Sequence, residues 1–254
     1  AGKTTRALSA WDSLARRGKE EQQAIAIHMM KILTLSVPEV LSLGDAEKYQ
    51  FCRYRIGVRD SLVFDRIINT FENTNYKAQA LLDLSQQYYE ADLLLPAIQY
   101  FNRIAGLELS EKTLYEEIRH TELRMLASRG DVSNIARQIN KGVTFDASQG
   151  LEKLLYTAMI SESSGDTTTA KKNYRILSMD NPYFEEGIIA SSNFFRKQSN
   201  GGFNAYNILA EAIQVNFNSI RLLKAYAEEA ARQGFDEYAY NARQRIKEME
   251  ASLR

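Results

Sequence analysis

A frame of small and apolar residues recurs along this chain at intervals of about 34 residues. Its clearest copy runs from Gly165-Asp166 through Ala170, Tyr174 and Leu177 to Asn181-Pro182. Alanines in the same frame stand at Ala97, Ala205 and Ala239. A fixed period of this length is typical of repeat proteins, in which each unit buries its apolar face against the next unit. The frame therefore favours an array of similar units over a single central core.

The copy at 165–182 resembles the second half of a tetratricopeptide repeat. It has a glycine turn, an alanine where two helices cross closely, an aromatic residue four positions later and a closing proline. A helical pattern from Leu151 to Glu162, with Leu155 and Ala158 on one face, supplies the first half. The resemblance implies an all-α fold, in which antiparallel helix pairs stack as a right-handed superhelical solenoid of about seven pairs.

The predicted helix pairs divide into a divergent start and a more regular array. The first pair occupies 1–44, with helices from Thr4 to Arg17 and from Lys19 to Leu35. The tetratricopeptide-like array covers 45–254 and continues from the first pair. Its units are predicted to start near residues 45, 78, 116, 151, 185 and 219. We also expect a mobile hinge loop at Asn200-Gly201-Gly202 and a solvent-facing terminal helix over 243–254.

Charge and composition exclude several classes of function. Lys plus Arg and Asp plus Glu both number 32, so no broad positive field would attract nucleic acid or an anionic membrane. No apolar stretch reaches the roughly 20 residues that span a bilayer, so direct membrane insertion is not expected. The chain starts at Ala1 without a methionine, which suggests either a processed protein or a segment of a larger one. A soluble protein is expected, and both the cytoplasm and the periplasm stay open as its compartment.

Catalysis is not expected, because the most versatile catalytic residues are rare. Cys52 is the only cysteine and falls at a helix crossing, which favours a small buried hydrophobe over a nucleophile. His28 lies in an apolar helix, where a core or interface histidine is the better interpretation. Glu117 and His120 form a single Glu-x-x-His motif, whereas a di-iron site needs the motif twice. We therefore predict no catalytic residue, no metal ligand and no cofactor.

The resemblance to tetratricopeptide repeats also implies where a partner would bind. In that family the first helix of each pair lines the concave groove of the solenoid. Arg53, Gln86 and Arg124 fall at equivalent places in three successive units, and arginines in such a row suit carboxylates. The residues predicted to face the groove are Tyr49, Arg53, Asp83, Gln86, Tyr89, His120, Arg124, Tyr156, Glu162, Asn193 and Arg196.

These features predict a non-enzymatic scaffold that binds a protein or peptide in the groove. The two-lysine, two-asparagine pattern with which some tetratricopeptide proteins hold a terminal carboxylate is not matched. A structural spacer or self-assembling module, and hence a homo-oligomer, stays open as the alternative. An α-helical enzyme with a carboxylate site is the third hypothesis. The sequence leaves the identity of the partner open.

Overall fold

The computed structural model describes residues 3–58, 60–198 and 201–252. All regular elements within these ranges are helices, which confirms the all-α prediction. The α-helices of the described residues are α1 (Lys3–Arg17), α2 (Glu20–Thr34), α3 (Val37–Leu41), α4 (Asp45–Arg55), α5 (Ser61–Ile68), α6 (Thr74–Glu90), α7 (Leu94–Asn102), α8 (Lys112–Ser128), α9 (Val132–Asn140), α10 (Gly150–Ser163), α11 (Thr167–Arg175), α12 (Glu185–Arg196), α13 (Gly201–Val215), α14 (Ile220–Arg232) and α15 (Asp236–Ser252). A short 3-10 helix covers Ala147–Gln149 and a π-helical turn covers Ile176–Asp180.

The chain divides into two compact units, Ala1–Glu122 and Leu123–Arg254, and the boundary falls within α8. In the first unit α1 packs against α2 and α6 packs against α7, while α4 contacts α2 and α6. The core residues of this unit include Phe64, Ile67 and Leu81. The sequence predicted a division into 1–44 and 45–254, because the repeat frame is more regular in the second range, and this division stays a prediction.

The second unit is built from adjacent helix pairs. Helices α10 and α11, α12 and α13, and α14 and α15 pack pairwise, and α12 also contacts α10 and α14. One core cluster of this unit surrounds Tyr174 and Phe194, and another surrounds Leu222 and Ala230. Each pair of the second unit therefore buries apolar surface within itself and against its neighbour.

Tight turns join the two helices of a pair, and glycines make them possible. Gly130, Gly165 and Gly234 all have positive φ, the left-handed conformation that costs other residues energy. Asp92 takes the corresponding place between α6 and α7, with a φ of 60°. After it, the Leu93 amide donates to the Tyr88 carbonyl over 2.9 Å, which closes the same type of helix end as the Phe235 amide after Gly234.

The alanines of the repeat frame are buried between helices. Ala97, Ala170, Ala205 and Ala239 are all at most 1% exposed. Opposite the first of these, Ser85 is fully buried and its hydroxyl donates to the Ala97 carbonyl over 2.8 Å. Small residues on both helices therefore let the backbones of α6 and α7 approach each other.

Several predicted boundaries differ from the structure. Helix α6 begins at Thr74, which extends it by one turn before the unit start predicted near 78, and α8 covers Lys112–Ser128. For α6 this extension starts where the Asn73 side chain accepts the amides of Asn75 and Tyr76, an N-cap that the repeat frame did not reveal. The short helix α3, which includes Pro38, was not predicted.

The expected hinge at Asn200-Gly201-Gly202 is partly helical instead. Asn200 lies outside the described residues, but Gly201 and Gly202 form the first turn of α13. A Cβ atom at Gly201 would overlap the Phe195 carbonyl oxygen, so glycine here serves close packing rather than a loop. On the terminal helix α15, Ala242 and Ile246 are buried while Arg243 is exposed, which agrees with the predicted solvent-facing helix.

Candidate binding site on the first helices

The first helices of successive pairs are joined by hydrogen bonds at intervals close to one repeat. In the first unit, Tyr49 Oη on α4 donates to Asp83 Oδ2 on α6 over 3.1 Å. From α6, Gln86 Nε2 donates to Thr121 Oγ1 on α8 over 3.0 Å. The partners lie 34 and 35 residues apart in the sequence. These bonds therefore connect corresponding faces of neighbouring first helices within this unit.

Arg53 places an exposed guanidinium group on this face of the first unit. Its Nη1 donates to Tyr49 Oη over 3.3 Å, and the guanidinium carbon lies 5.6 Å from the centroid of the Tyr54 ring. Trp11 on α1 meets the Tyr54 ring edge to face at 6.0 Å. Burial, and then the charge of Asp83, raises the pKa of Tyr49, so its phenol keeps the proton that it donates.

In the second unit, ion pairs join the first helices. Arg124 Nε on α8 donates to Glu152 Oε1 on α10 over 2.7 Å. Arg196 Nη1 on α12 donates to Glu229 Oε2 on α14 over 3.4 Å. In both pairs the carboxylate is more buried than the guanidinium, and Arg124 and Arg196 keep 44% and 35% of their side-chain surface exposed. The charged side chains of this face are thus partly available to a partner.

Two further ion pairs of the second unit run in the opposite direction along the chain. Lys197 directly follows α12, and its Nζ donates to Glu162 Oε1 on α10 over 2.7 Å. Arg221 Nη1 on α14 donates to Glu186 Oε1 on α12 over 3.0 Å. Each of these pairs spans 35 residues of sequence. Cations of one helix pair therefore bind carboxylates of the preceding pair as well as of the following one.

Glu229 is the most buried carboxylate of these pairs, and it binds more than one cation. Its side chain is 1% exposed, and its Oε2 accepts from Arg196 and, over 3.3 Å, from Arg232 Nη1. Its other oxygen, Oε1, accepts from Gln233 Nε2 over 3.0 Å. Asn193 Oδ1 accepts from Nη2 of Arg196 over 2.9 Å. Glu229 and its donors therefore form one connected polar cluster on α12 and α14.

The residues predicted to face the groove differ widely in exposure. Arg53 and Arg124 are exposed, and Gln86, Asn193 and Arg196 are half-buried. The buried members of the predicted set are Tyr49, Tyr89, His120 and Tyr156. Tyr156 has no exposed surface and belongs to a core cluster of the second unit, where its ring lies 5.9 Å from that of Phe145. Tyr156 therefore packs the core of the second unit and offers no surface to a partner.

Glu229, Arg232 and Gln233 were not among the predicted site residues. The repeat frame aligned the helices of the last pair by their small and apolar residues, and these three polar residues do not belong to it. One signal could have found Glu229, because it lies 33 residues after Arg196, close to one repeat period. Opposite charges at that interval predict an ion pair between adjacent units of a repeat array.

The residues considered for chemistry occupy different surroundings. Cys52 is buried at 4% exposure, as predicted for a packing residue. His28 is not in the core: its side chain is 56% exposed, and its Nε2 lies 3.6 Å from Glu47 Oε1. It points away from the buried stripe of α2, which includes Met29. Glu117 is exposed while His120 is buried, so the two do not share one environment.

Among the described residues, no group of three or more His, Cys, Asp or Glu side chains could hold a metal ion. In the same part of the chain, each helix is too short or too polar to cross a bilayer. Comparison with protein-family models, with curated proteins and with solved structures found no match to this chain.

Proposed function

We propose that this chain is a non-enzymatic scaffold that binds an extended peptide or protein segment along the first helices of a tetratricopeptide-like solenoid. The observation that supports it is the set of repeat-spaced polar contacts between neighbouring first helices, such as Gln86 with Thr121 and Arg196 with Glu229. Within each unit, stacked helix pairs that share one rotation would bring these contacts to one face.

Fixed polar side chains favour the binding of a flexible partner. Arg53 is held between Tyr49 and Tyr54, and Arg124 is held by two nitrogens that contact one Glu152 oxygen. Because these side chains are already ordered, a peptide that binds them pays less conformational entropy at the interface. The partly exposed guanidinium groups would supply charge-assisted hydrogen bonds to its carbonyl and carboxylate oxygens.

A binding measurement with single variants in each unit tests this proposal. The protein is incubated with a bead-bound library of random 12-residue peptides, and the affinity of the recovered peptides is measured by fluorescence anisotropy. We expect Arg53→Ala to weaken binding of peptides that use the first unit, and Arg124→Ala with Glu152→Gln to weaken those that use the second. Arg243→Ala, on the exposed face of α15, is the matched control. Failure to recover any saturable peptide ligand would exclude the proposal.

Self-assembly is the second candidate function, and exposed aromatic residues of the last helix pairs favour it. The rings of Phe203, Tyr206, Phe235 and Tyr238 form a row with successive centroid distances of 6.4, 4.8 and 6.4 Å. Phe203 and Tyr238, at its two ends, are both 57% exposed. Exposed aromatic patches are common at protein interfaces.

Sedimentation velocity separates the two candidates. A self-assembling module would sediment as a concentration-dependent oligomer, and Phe203→Ser with Tyr238→Ser would convert it to a monomer. A binding scaffold would sediment as a monomer throughout, with or without these substitutions.

A further inference from the structure

We propose that Arg196 and Arg232 together bind a carboxylate of the partner peptide, and that Glu229 is the buried residue that holds both guanidinium groups in position. This inference rests on the proposed function and names the chemistry that one part of the binding face recognises.

The two guanidinium groups converge on one atom. Nη1 of Arg196 and Nη1 of Arg232 lie 3.4 and 3.3 Å from the same oxygen, Glu229 Oε2. The first arginine comes from the last turn of α12 and the second from the last turn of α14. Adjacent helix pairs therefore each contribute one cation to a single small region of the second unit.

Both arginines keep donors for a ligand. Their side chains are 35% and 49% exposed, whereas Glu229 is 1% exposed. Arg196 uses Nη1 for Glu229 and Nη2 for Asn193. A guanidinium group carries more N–H donors than these bonds consume, and they are arranged in a planar fork that matches a carboxylate.

The position of Glu229 fits a supporting role. A buried carboxylate is costly to desolvate unless cations and hydrogen bonds compensate it, and here Arg196, Arg232 and Gln233 do so. Glu229 contacts the two guanidinium groups from their buried side. It therefore holds them in position and leaves the other parts of both groups exposed to solvent. A preorganised pair of cations binds an anion with less loss of side-chain entropy.

One exposed acid competes for this position. Glu228 Oε2 lies 3.5 Å from Arg232 Nη2, and its side chain is 68% exposed. Exposed ion pairs of this kind contribute little, so a ligand carboxylate that contacts both arginines would displace it. Removal of Glu228 should therefore strengthen the binding of an acidic ligand, whereas removal of either arginine should weaken it.

Two synthetic libraries test the inference and identify the source of the carboxylate. Both contain random 12-residue peptides on beads; one ends in an amide and the other in a free carboxylate. Enrichment of Asp and Glu among ligands from the amide library would assign the site to an acidic side chain. Ligands recovered only from the free-carboxylate library would assign it to a peptide C-terminus.

Variants of the intact chain then locate the site. For a selected acidic peptide we expect Arg196→Gln and Arg232→Gln each to lower the affinity about 10-fold or more, because each removes a charge-assisted hydrogen bond. Glu228→Gln should raise the affinity about 2- to 3-fold. Arg243→Gln, which removes an exposed arginine elsewhere on the second unit, should leave it unchanged. A peptide in which Asn or Gln replaces the key acidic residue should bind the unchanged protein about as weakly as the acidic peptide binds the arginine variants.

Three results would overturn the inference. Ligands without enriched acids or a required free carboxylate would contradict it and leave the proposed function standing. Unchanged affinity in both arginine variants would also contradict the inference and leave the proposed function standing. If either arginine variant unfolds, the Glu228→Gln variant decides: an affinity that is lower than or equal to that of the unchanged protein contradicts the site. Absence of ligands from both libraries would remove the proposed function and this inference together.

Discussion

Within each compact unit, polar contacts join neighbouring first helices, but the donors differ between the two units. The first unit uses the phenol of Tyr49 and the amide of Gln86, whereas the second uses the cations Arg124, Arg196 and Lys197. The repeat geometry therefore fixes where neighbouring pairs meet, and leaves the chemistry of the contact free to vary. Ion pairs impose a larger desolvation cost and a stronger dependence on both partners than neutral hydrogen bonds do.

The largest expected effects come from the cores and test whether the units are separate folding units. Phe64→Ala in the first unit and Phe194→Ala in the second each remove a buried ring that packs against Tyr100 or Tyr174. Each should lower the free energy of unfolding by about 3–5 kcal/mol. Hydrogen exchange measured by mass spectrometry should show the loss of protection concentrated in the mutated unit.

An exposed residue on the helix of Phe64 provides the control. Leu62→Ala on α5 should change the free energy of unfolding little, because Leu62 is 81% exposed. Equal loss of protection in both units after either core substitution would show that they unfold as one cooperative structure.

The next effect concerns the charged contacts of the second unit. Arg124→Ala should lower the free energy of unfolding by about 2 kcal/mol, because it leaves the carboxylate of Glu152, 11% exposed, without its cation. The value is below that of a fully buried pair because solvent reaches Arg124. Urea unfolding measures it, and the additional change Glu152→Gln should recover part of the loss. A loss smaller than that of Gln86→Ala would contradict the comparison.

The neutral contact of the first unit should be weaker and insensitive to salt. Gln86→Ala should cost about 1 kcal/mol, the net value of one neutral hydrogen bond, and the double-mutant coupling with Thr121→Val should not change with salt. The coupling between Arg221 and Glu186 should instead decrease between 0.05 and about 1 M NaCl. If salt changed both coupling energies equally, the difference in donors between the two units would have no energetic consequence.

A smaller effect is expected at the turn that departs from the glycine pattern. Asp92→Gly should raise the free energy of unfolding by up to about 1 kcal/mol, because glycine adopts its positive φ without strain. Gly130→Ala, the matched change in the opposite direction, should lower it by about the same amount. Thermal unfolding measures both, and a destabilised Asp92→Gly would show that the aspartate side chain contributes more than its backbone strain costs.

The smallest effect is a loss of stability in alkali that both units share. Burial raises the pKa of Tyr49 in the first unit and of Tyr174 in the second, and nearby Asp83 and Glu162 raise them further. Above pH 10, the ordinary pKa of tyrosine, the unfolded chain releases these protons and the folded chain retains them, so stability should fall as pH rises. Tyr49→Phe and Tyr174→Phe should each reduce this fall in urea titrations between pH 9 and about 11.

Local patterns predicted a large part of the architecture. The four frame alanines, the glycine turns and the helices of the later pairs follow from spacings that depend only on helix geometry and on the allowed φ of glycine. The Asn73 cap at the start of α6 was not predicted, because it lies outside the apolar frame. Gly201-Gly202 was predicted as a loop, because the close approach of Gly201 to the Phe195 carbonyl depends on how α12 and α13 pack.

The candidate site could be predicted only in part. Arg53 on α4 and Arg124 on α8 are exposed as expected for groove residues, but Tyr156 on α10 is in the core. Spacing places a residue on a face of a helix, but the boundary between a buried and an exposed face depends on how far the next pair covers it. A shift of one residue on an α-helix rotates a side chain by about 100°, which is enough to exchange core for surface.

The sequence by itself determined that the chain forms helices in pairs, where the tight turns fall and which small residues let the helices approach. These properties depend on short-range sterics and on the periodicity of apolar residues, and both follow from residues that are close together in the sequence. Only the tertiary structure decided which polar residues meet, that Glu229 is buried beneath Arg196 and Arg232, and that His28 lies outside the core. The contact between Arg196 and Glu229 joins residues 33 apart in the sequence, and its geometry depends on how neighbouring helix pairs pack.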